Sequence, residues 1–189
     1  HKQYDFPVDK CYLPLHVGKK QSKLDLGIQG DDTGDNISGL NEYFCELTAH
    51  YWMWKNINCE YYGLSHYRRY FSSLSDKCIV VKNKEILTGD EAYNLLLEYD
   101  VILPKKRKYY IETIKQHYCN GHNKSDLDIL ESIIKKNFPQ YLPSCIKIFS
   151  SRSISLYNMF LMRKSFFYEY SDWVFKILFL LEKKIEYKT

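Results

Sequence analysis

Short β-rich runs alternate with amphipathic stretches along most of this chain, and that alternation restricts the fold more than any other feature. Leu40, Phe44, Leu47, Tyr51 and Trp54 recur at alternating spacings of four and three. They lay one apolar stripe on a helix that Ser38 can cap and that ends near Asn56. Residues 60–65 then read as a short strand and 78–82 as another, and Thr88 with Glu91 makes a capping box for a helix through Tyr99. The strand DVILP (100–104) follows at once. Ser125 with Asp128 begins another helix, Pro139 and Pro143 interrupt the chain, and Tyr157 to Met162 reads as a strand feeding a helix from Phe166 to about Ile185. This order predicts an α/β fold, a mainly parallel sheet flanked by helices, built as a single domain over residues 1–189. Ligands of such sheets sit at the carboxyl ends of the strands.

At 189 residues with 45% hydrophobic content, the chain can bury a sizeable core. Its 27 Lys and Arg against 23 Asp and Glu give a net charge of +4. That balance mildly favours anionic partners and falls short of the strong basicity of a nucleic-acid binder, so no nucleic acid is expected as partner. Six cysteines at wide, irregular spacings contain no CxxC pair, which argues against a zinc ribbon or a disulfide scaffold and for reduced cytoplasmic thiols. The longest apolar run, 174–181, is interrupted by Lys176 and is far shorter than the roughly 20 residues that span a bilayer. A secretion signal is also not visible.

The stretch GLSHYRRYF (63–71) stands at the carboxyl end of the predicted central strand, which places His66, Arg68 and Arg69 in the ligand crevice. Paired guanidinium groups suit a diphosphate, because each makes bidentate, charge-assisted bonds to its oxygens. The alternative is pairing with acidic side chains on neighbouring helices. His66 can accept a proton, bind a metal or hydrogen-bond a ligand, or be a satisfied structural histidine. Asn36 and Ser38 lie where the loop GKKQSKLDLGIQGDDTGDN enters the first long helix, a place where free backbone N–H groups hold anions. Asp31, Asp32 and Asp35 in that loop form DDxxD, a pattern that holds a divalent cation or makes a solvated turn; the turn is the favoured reading.

Three further stretches carry weaker signals. HYCNGH (117–122) invites a zinc site, but its spacing matches no common closed one and a helix end explains it better. KKRKYY (105–110) is a basic run that either touches phosphate or lipid or forms a solvated face. Asp172, in YSDWVF, is either a general base or a favourable charge near a helix start. No GxSxG, Walker-type or GxGxxG motif occurs.

In order along the chain, HK at the start, YLPLHVG, GDDTGDNISGLN, ELTAHYWMWKN, GLSHYRRYF, DVILP, YNMFLMRK and YSDWVFKILFLLE resemble a bacterial capsular and exopolysaccharide glycosyltransferase family first catalogued as a domain of unknown function. The resemblance spans nearly the whole chain, with HYRRYF its most specific part. It implies a GT-A-like fold, a UDP-sugar donor (a UDP-hexose or UDP-galactofuranose) and a lipid-linked oligosaccharide as acceptor. An enzyme of this kind works in the cytoplasm at the inner face of the membrane, where peripheral contact with lipid is expected. On this reading Asn36, Ser38 and Asn41 lie near the nucleotide, and His66, Arg68 and Arg69 near the diphosphate. Asn158, Met159 and Phe160 line the sugar or acceptor, and Asp172 with His66 carries the catalysis. Relatives carry a strand before HK that this chain lacks, so a domain trimmed at its start is expected, and trimming at its end is open on the same reading. GT-A enzymes also often place DxD after the tryptophan-rich helix, to hold Mg or Mn. Here that position reads HYR, so the arginines are expected to stand in for the cation. The competing function is a non-catalytic nucleic-acid- or sugar-binding α/β module.

Overall fold

The computed structural model describes residues 5–185, and the opening HK lies outside them. The strands in chain order are β1 (Leu15–His16), β2 (Gln29–Gly30), β3 (Tyr61–Leu64), β4 (Ile79–Val81), β5 (Lys84–Ile86), β6 (Val101–Ile102), β7 (Arg107–Lys108), β8 (Ser153–Ile154) and β9 (Phe160–Arg163). The α-helices are α1 (Asn41–Phe44), α2 (Leu47–Asn56), α3 (Gly89–Glu98), α4 (Ile114–Gly121), α5 (Lys124–Asn137), α6 (Leu142–Ser150) and α7 (Lys164–Glu182). The chain divides into two compact units, one of residues 1–104 and 157–171, the other of 105–156 and 172–189.

The first unit is mixed α/β. Its three-stranded sheet has the order β3-β9-β6, with β9 antiparallel to both neighbours. Among the described strands only β1 and β2 pair in parallel, Leu15 with Gln29 and His16 with Gly30. The expected mainly parallel sheet is therefore corrected to a small parallel pair beside an antiparallel sheet. The reason lies in one insertion: β3 and β6 do run the same way, but β9, from far along the chain, takes the place between them.

Alternate residues of β9 point into the core, and Phe160 and Met162 are buried there with Tyr62 and Phe167. The rings of Tyr62 and Phe167 stack with centroids 4.0 Å apart. His50 of α2 joins this aromatic core against Phe160, Phe167 and Tyr170. The Ser171 hydroxyl donates to the Phe167 carbonyl (2.6 Å) and so accepts from His50 Nε2 at 2.8 Å. Burial pushes the imidazole pKa down to about 3, which keeps it neutral.

The helix expected from Ser38 to Asn56 ends where predicted but is split. A 3₁₀ turn, Ser38–Leu40, leads into α1, Cys45 breaks the run at φ 48° and ψ −128°, and α2 follows. Ser38 does not cap because its hydroxyl is drawn into a buried carboxylate, described below. Thr88 and Glu91 form the predicted capping box, and Glu91 also accepts from the Ser73 hydroxyl and the Leu74 amide.

The second unit is helical apart from the β7–β8 pair, in which Arg107 faces Ile154 and Lys108 faces Ser153. Ile133 and Ile134 of α5 and Ile177 of α7 form its buried core. Asn123, two residues before the predicted Ser125, caps α5 through the Ser125 amide. Pro139 opens a 3₁₀ turn and Pro143 sits in the first turn of α6, positions where the missing amide is not needed. HYCNGH falls at the end of α4, where His117 Nδ1 lies 3.1 Å from Glu112 Oε2.

Candidate active site

Strand β3 ends in a tight turn. His66 N donates to Arg69 O, and Arg69 N returns a bond to His66 O, both at 3.1 Å. Tyr67 and Arg68 therefore form the tip, and Tyr67, Arg68 and Arg69 are all exposed. The Arg68 guanidinium carbon lies 4.9 Å from the Tyr67 ring centroid and that of Arg69 4.2 Å from the Tyr157 ring. Stacking on rings orients both cations while leaving their N–H groups to solvent.

His66 is held more firmly. Its Nε2 donates to the Tyr157 carbonyl at 2.6 Å and lies 3.4 Å from Glu46 Oε1. The same Glu46 oxygen accepts from Asn158 Nδ2 at 2.8 Å. The hydrogen bond from His66 depresses the Glu46 carboxyl to about 2, and the reciprocal bond raises the His66 pKa. Three segments distant in sequence thus meet at one carboxylate. Two backbone irregularities accompany the meeting: Cys45 turns the chain into Glu46, and Tyr157 and Asn158 adopt φ of 77° and 52°. Left-handed conformations of such residues cost of order 1–3 kcal/mol each and persist where surrounding bonds hold them. Here the bonds to His66 and Glu46 do so.

A second polar cluster in the same unit is fully closed. Asp31 has no exposed surface. Its Oδ1 accepts from Ser38 Oγ (2.6 Å) and Lys19 N (3.1 Å), and its Oδ2 from Thr48 Oγ1 (2.6 Å) and Gly18 N (2.9 Å). Ser38 Oγ in turn accepts from Lys20 N at 3.1 Å. Around this carboxylate the acidic loop is clamped to α2: Trp52 Nε1 donates to Thr33 Oγ1, and Asn56 bonds both N and O of Asp35. Gly34, at φ 56°, lies where a Cβ would strike the Asn56 side chain.

The candidate residues fall into distinct places. His66, Arg68, Arg69 and Asn158 share the turn region just described. Asn36 spends its amide on the Asp32 and Gly34 carbonyls and on Ser38 N, and Asn41 donates to the Cys45 carbonyl. With Ser38 buried, these three shape the loop. Met159 and Phe160 are packed in the core. Asp172, in the other unit, is exposed and bonded to Lys176 Nζ at 2.6 Å. Asp100 pairs with Arg163 at 3.0 Å. A divalent cation fits these residues poorly, because four protein donors already occupy Asp31. Among the described residues no three His, Cys, Asp or Glu side chains come together as a ligand set.

The residue that sequence reasoning missed is Glu46. It stands 20 positions before His66 and no spacing links them. Glu46 falls off the apolar stripe of Leu40, Phe44, Leu47, Tyr51 and Trp54, so the periodicity carried no signal for it.

Residues 1–189 match the model of a family described as a domain of unknown function, DUF4422. The chain belongs to the DUF4422 family. This DUF4422 chain is also similar to a solved structure, the apo form of the bifunctional glycosyltransferase WbbM, at 34% identity and a TM-score of 0.91. The likeness covers 100% of the DUF4422 chain and 37% of the WbbM chain. No curated protein matches it. No helix among the described residues is long and apolar enough to cross a membrane.

Proposed function

We propose that this DUF4422 chain is a GT-A-like glycosyltransferase that moves a hexosyl group from a UDP-sugar to a hydroxyl of a growing, lipid-linked capsular or exopolysaccharide chain. The observation that carries the reading is the likeness of its whole length to part of a glycosyltransferase. The His66–Arg69 turn supplies chemistry that suits it. As the acceptor oxygen bonds to the anomeric carbon, the bond from that carbon to the UDP oxygen breaks and negative charge collects on the diphosphate. Arg68 and Arg69, stacked on rings and open to solvent, meet that charge with little reorganisation. His66, whose Nε2 proton is held by the Tyr157 carbonyl and Glu46, donates from Nδ1 of the protonated ring to the same phosphates. The loop shaped by Asn36, Ser38 and Asn41 receives the nucleotide, and Asn158 borders the sugar. Asp172 takes the acceptor proton, which requires it to leave Lys176.

UDP release from a panel of UDP-sugars, measured with and without EDTA, tests the reading. Release that persists in EDTA is expected for at least one donor. A folded chain that neither binds UDP nor releases it from any donor overturns the proposal. Asp172→Asn is expected to abolish transfer and leave UDP binding intact; full turnover by that variant removes the base.

A further inference from the structure

The net charge of the chain is unevenly shared. The second unit holds 14 Lys and Arg against 7 Asp and Glu, a balance of +7, and the first holds 13 against 16, a balance of −3. Within the second unit the basic residues at 105–108 are all exposed, and β7–β8 pairing sets Lys108 beside Ser153, next to the exposed Arg152. Tyr109 N donates to the Arg152 carbonyl at 2.7 Å, which ties the basic run to this second segment. Lys108, Tyr109, Tyr110, Arg152 and Ser153 line a shallow recess there. Immediately beyond, Tyr110 and Ile111 are each 85% exposed, side by side at the end of the run. The one acid that follows, Glu112, is turned away to His117 and Asn120.

Tyr110 and Ile111 extend the basic run with an exposed aromatic and an exposed aliphatic side chain placed next to each other. Cations flanking an exposed aromatic and an exposed aliphatic residue are the composition of a surface that meets an anionic bilayer. The cations are drawn to headgroup phosphates, the tyrosine settles at the interface, and the isoleucine enters the acyl boundary. We infer that the segment 105–111 with Arg152 is a peripheral docking surface for anionic lipid membranes. The inference stands apart from the donor site, since it uses none of its residues.

Co-sedimentation of the chain with vesicles of phosphatidylcholine alone, and of phosphatidylcholine mixed with phosphatidylglycerol, tests it. Partition is expected onto the anionic vesicles only, and to fall as salt rises. Each cation near such a surface changes partition about fivefold, so Lys108→Gln with Arg152→Gln is expected to lower it roughly 25-fold. Tyr110→Ser with Ile111→Ser is expected to lower it about tenfold while leaving the salt dependence unchanged. Circular dichroism checks that each variant is folded. Equal partition onto neutral vesicles, no partition, or indifference to both double variants overturns the inference. So does tight binding of inorganic phosphate, or of single-stranded RNA in preference to anionic vesicles. UDP release is read on the same variants and is expected to be unchanged, which separates failure here from failure of the donor site.

Discussion

The Asp31 loop and the His66–Arg69 turn are both charged loops of one unit, and they are built in opposite ways. Asp31 is sealed from solvent and each carboxylate oxygen has two protein donors. Arg68 and Arg69 are exposed and meet only ring faces in their cation contacts. A charge surrounded by its own protein's donors has nothing left for a ligand, whereas one merely oriented keeps its hydrogen-bonding capacity. The contrast separates DDxxD, where a solvated turn was the favoured reading and Asp31 is instead sealed in, from HYRR, whose arginines were expected to meet a diphosphate. Loop architecture claims the first, and the second is available for chemistry.

Three substitutions test the contrast. The largest effect is expected at Asp31: its removal in Asp31→Ala strands two backbone amides and two hydroxyls in a buried place, at roughly 3–5 kcal/mol of stability, read from urea unfolding. A loss under about 1 kcal/mol would show that the cluster is not structural. Next is Arg68→Ala, expected to slow transfer by about 10²–10³, roughly 2.7–4 kcal/mol at the barrier, with the unfolding midpoint unmoved. A rate within tenfold of the parent in a folded variant takes the diphosphate role from Arg68.

The smallest concerns Glu46, which is intermediate between the two extremes. Its depressed carboxyl contributes stability above the ordinary value of 4.5 that is lost as pH falls toward about 2. The raised His66 contributes stability that is complete below its ordinary 6.5 and is lost as pH rises through its higher folded value. Stability should therefore plateau between these limits, and Glu46→Gln should lower the plateau by about 1 kcal/mol and flatten both flanks. A variant whose stability-against-pH curve overlays the parent's would show that the pair does not couple.

Much of the local structure was legible because its causes are local. The Thr88–Glu91 capping box, the end of α2 at Asn56 and the strand β3 follow from side chains within a few residues of each other. What could not be read involved partners far apart. The break at Cys45 falls between Ser38 and Thr48, whose hydroxyls both bond the distant Asp31, whereas the apolar stripe alone reads as one helix. The sheet was misjudged because order along the chain does not reveal which strand lies between which. At the site, His66, Arg68 and Arg69 announced themselves by composition. Glu46 did not, since its importance comes only from the meeting of three segments. The resemblance implied that Phe160 lines the sugar or acceptor, and the alternation of β9 turns it inward.

The strand order β3-β9-β6 also has a temporal side. The middle strand is the last of the three to be synthesised: Tyr61 must wait for Arg163, its partner across the ladder. At ordinary translation speeds of about 5–20 residues per second, that delay lasts roughly 5–20 s. During it β3 and β6 have finished edges and no centre, so a nascent chain offers two open ladders to any passing strand. The sheet is therefore closed by its centre, after both of its edges have been made.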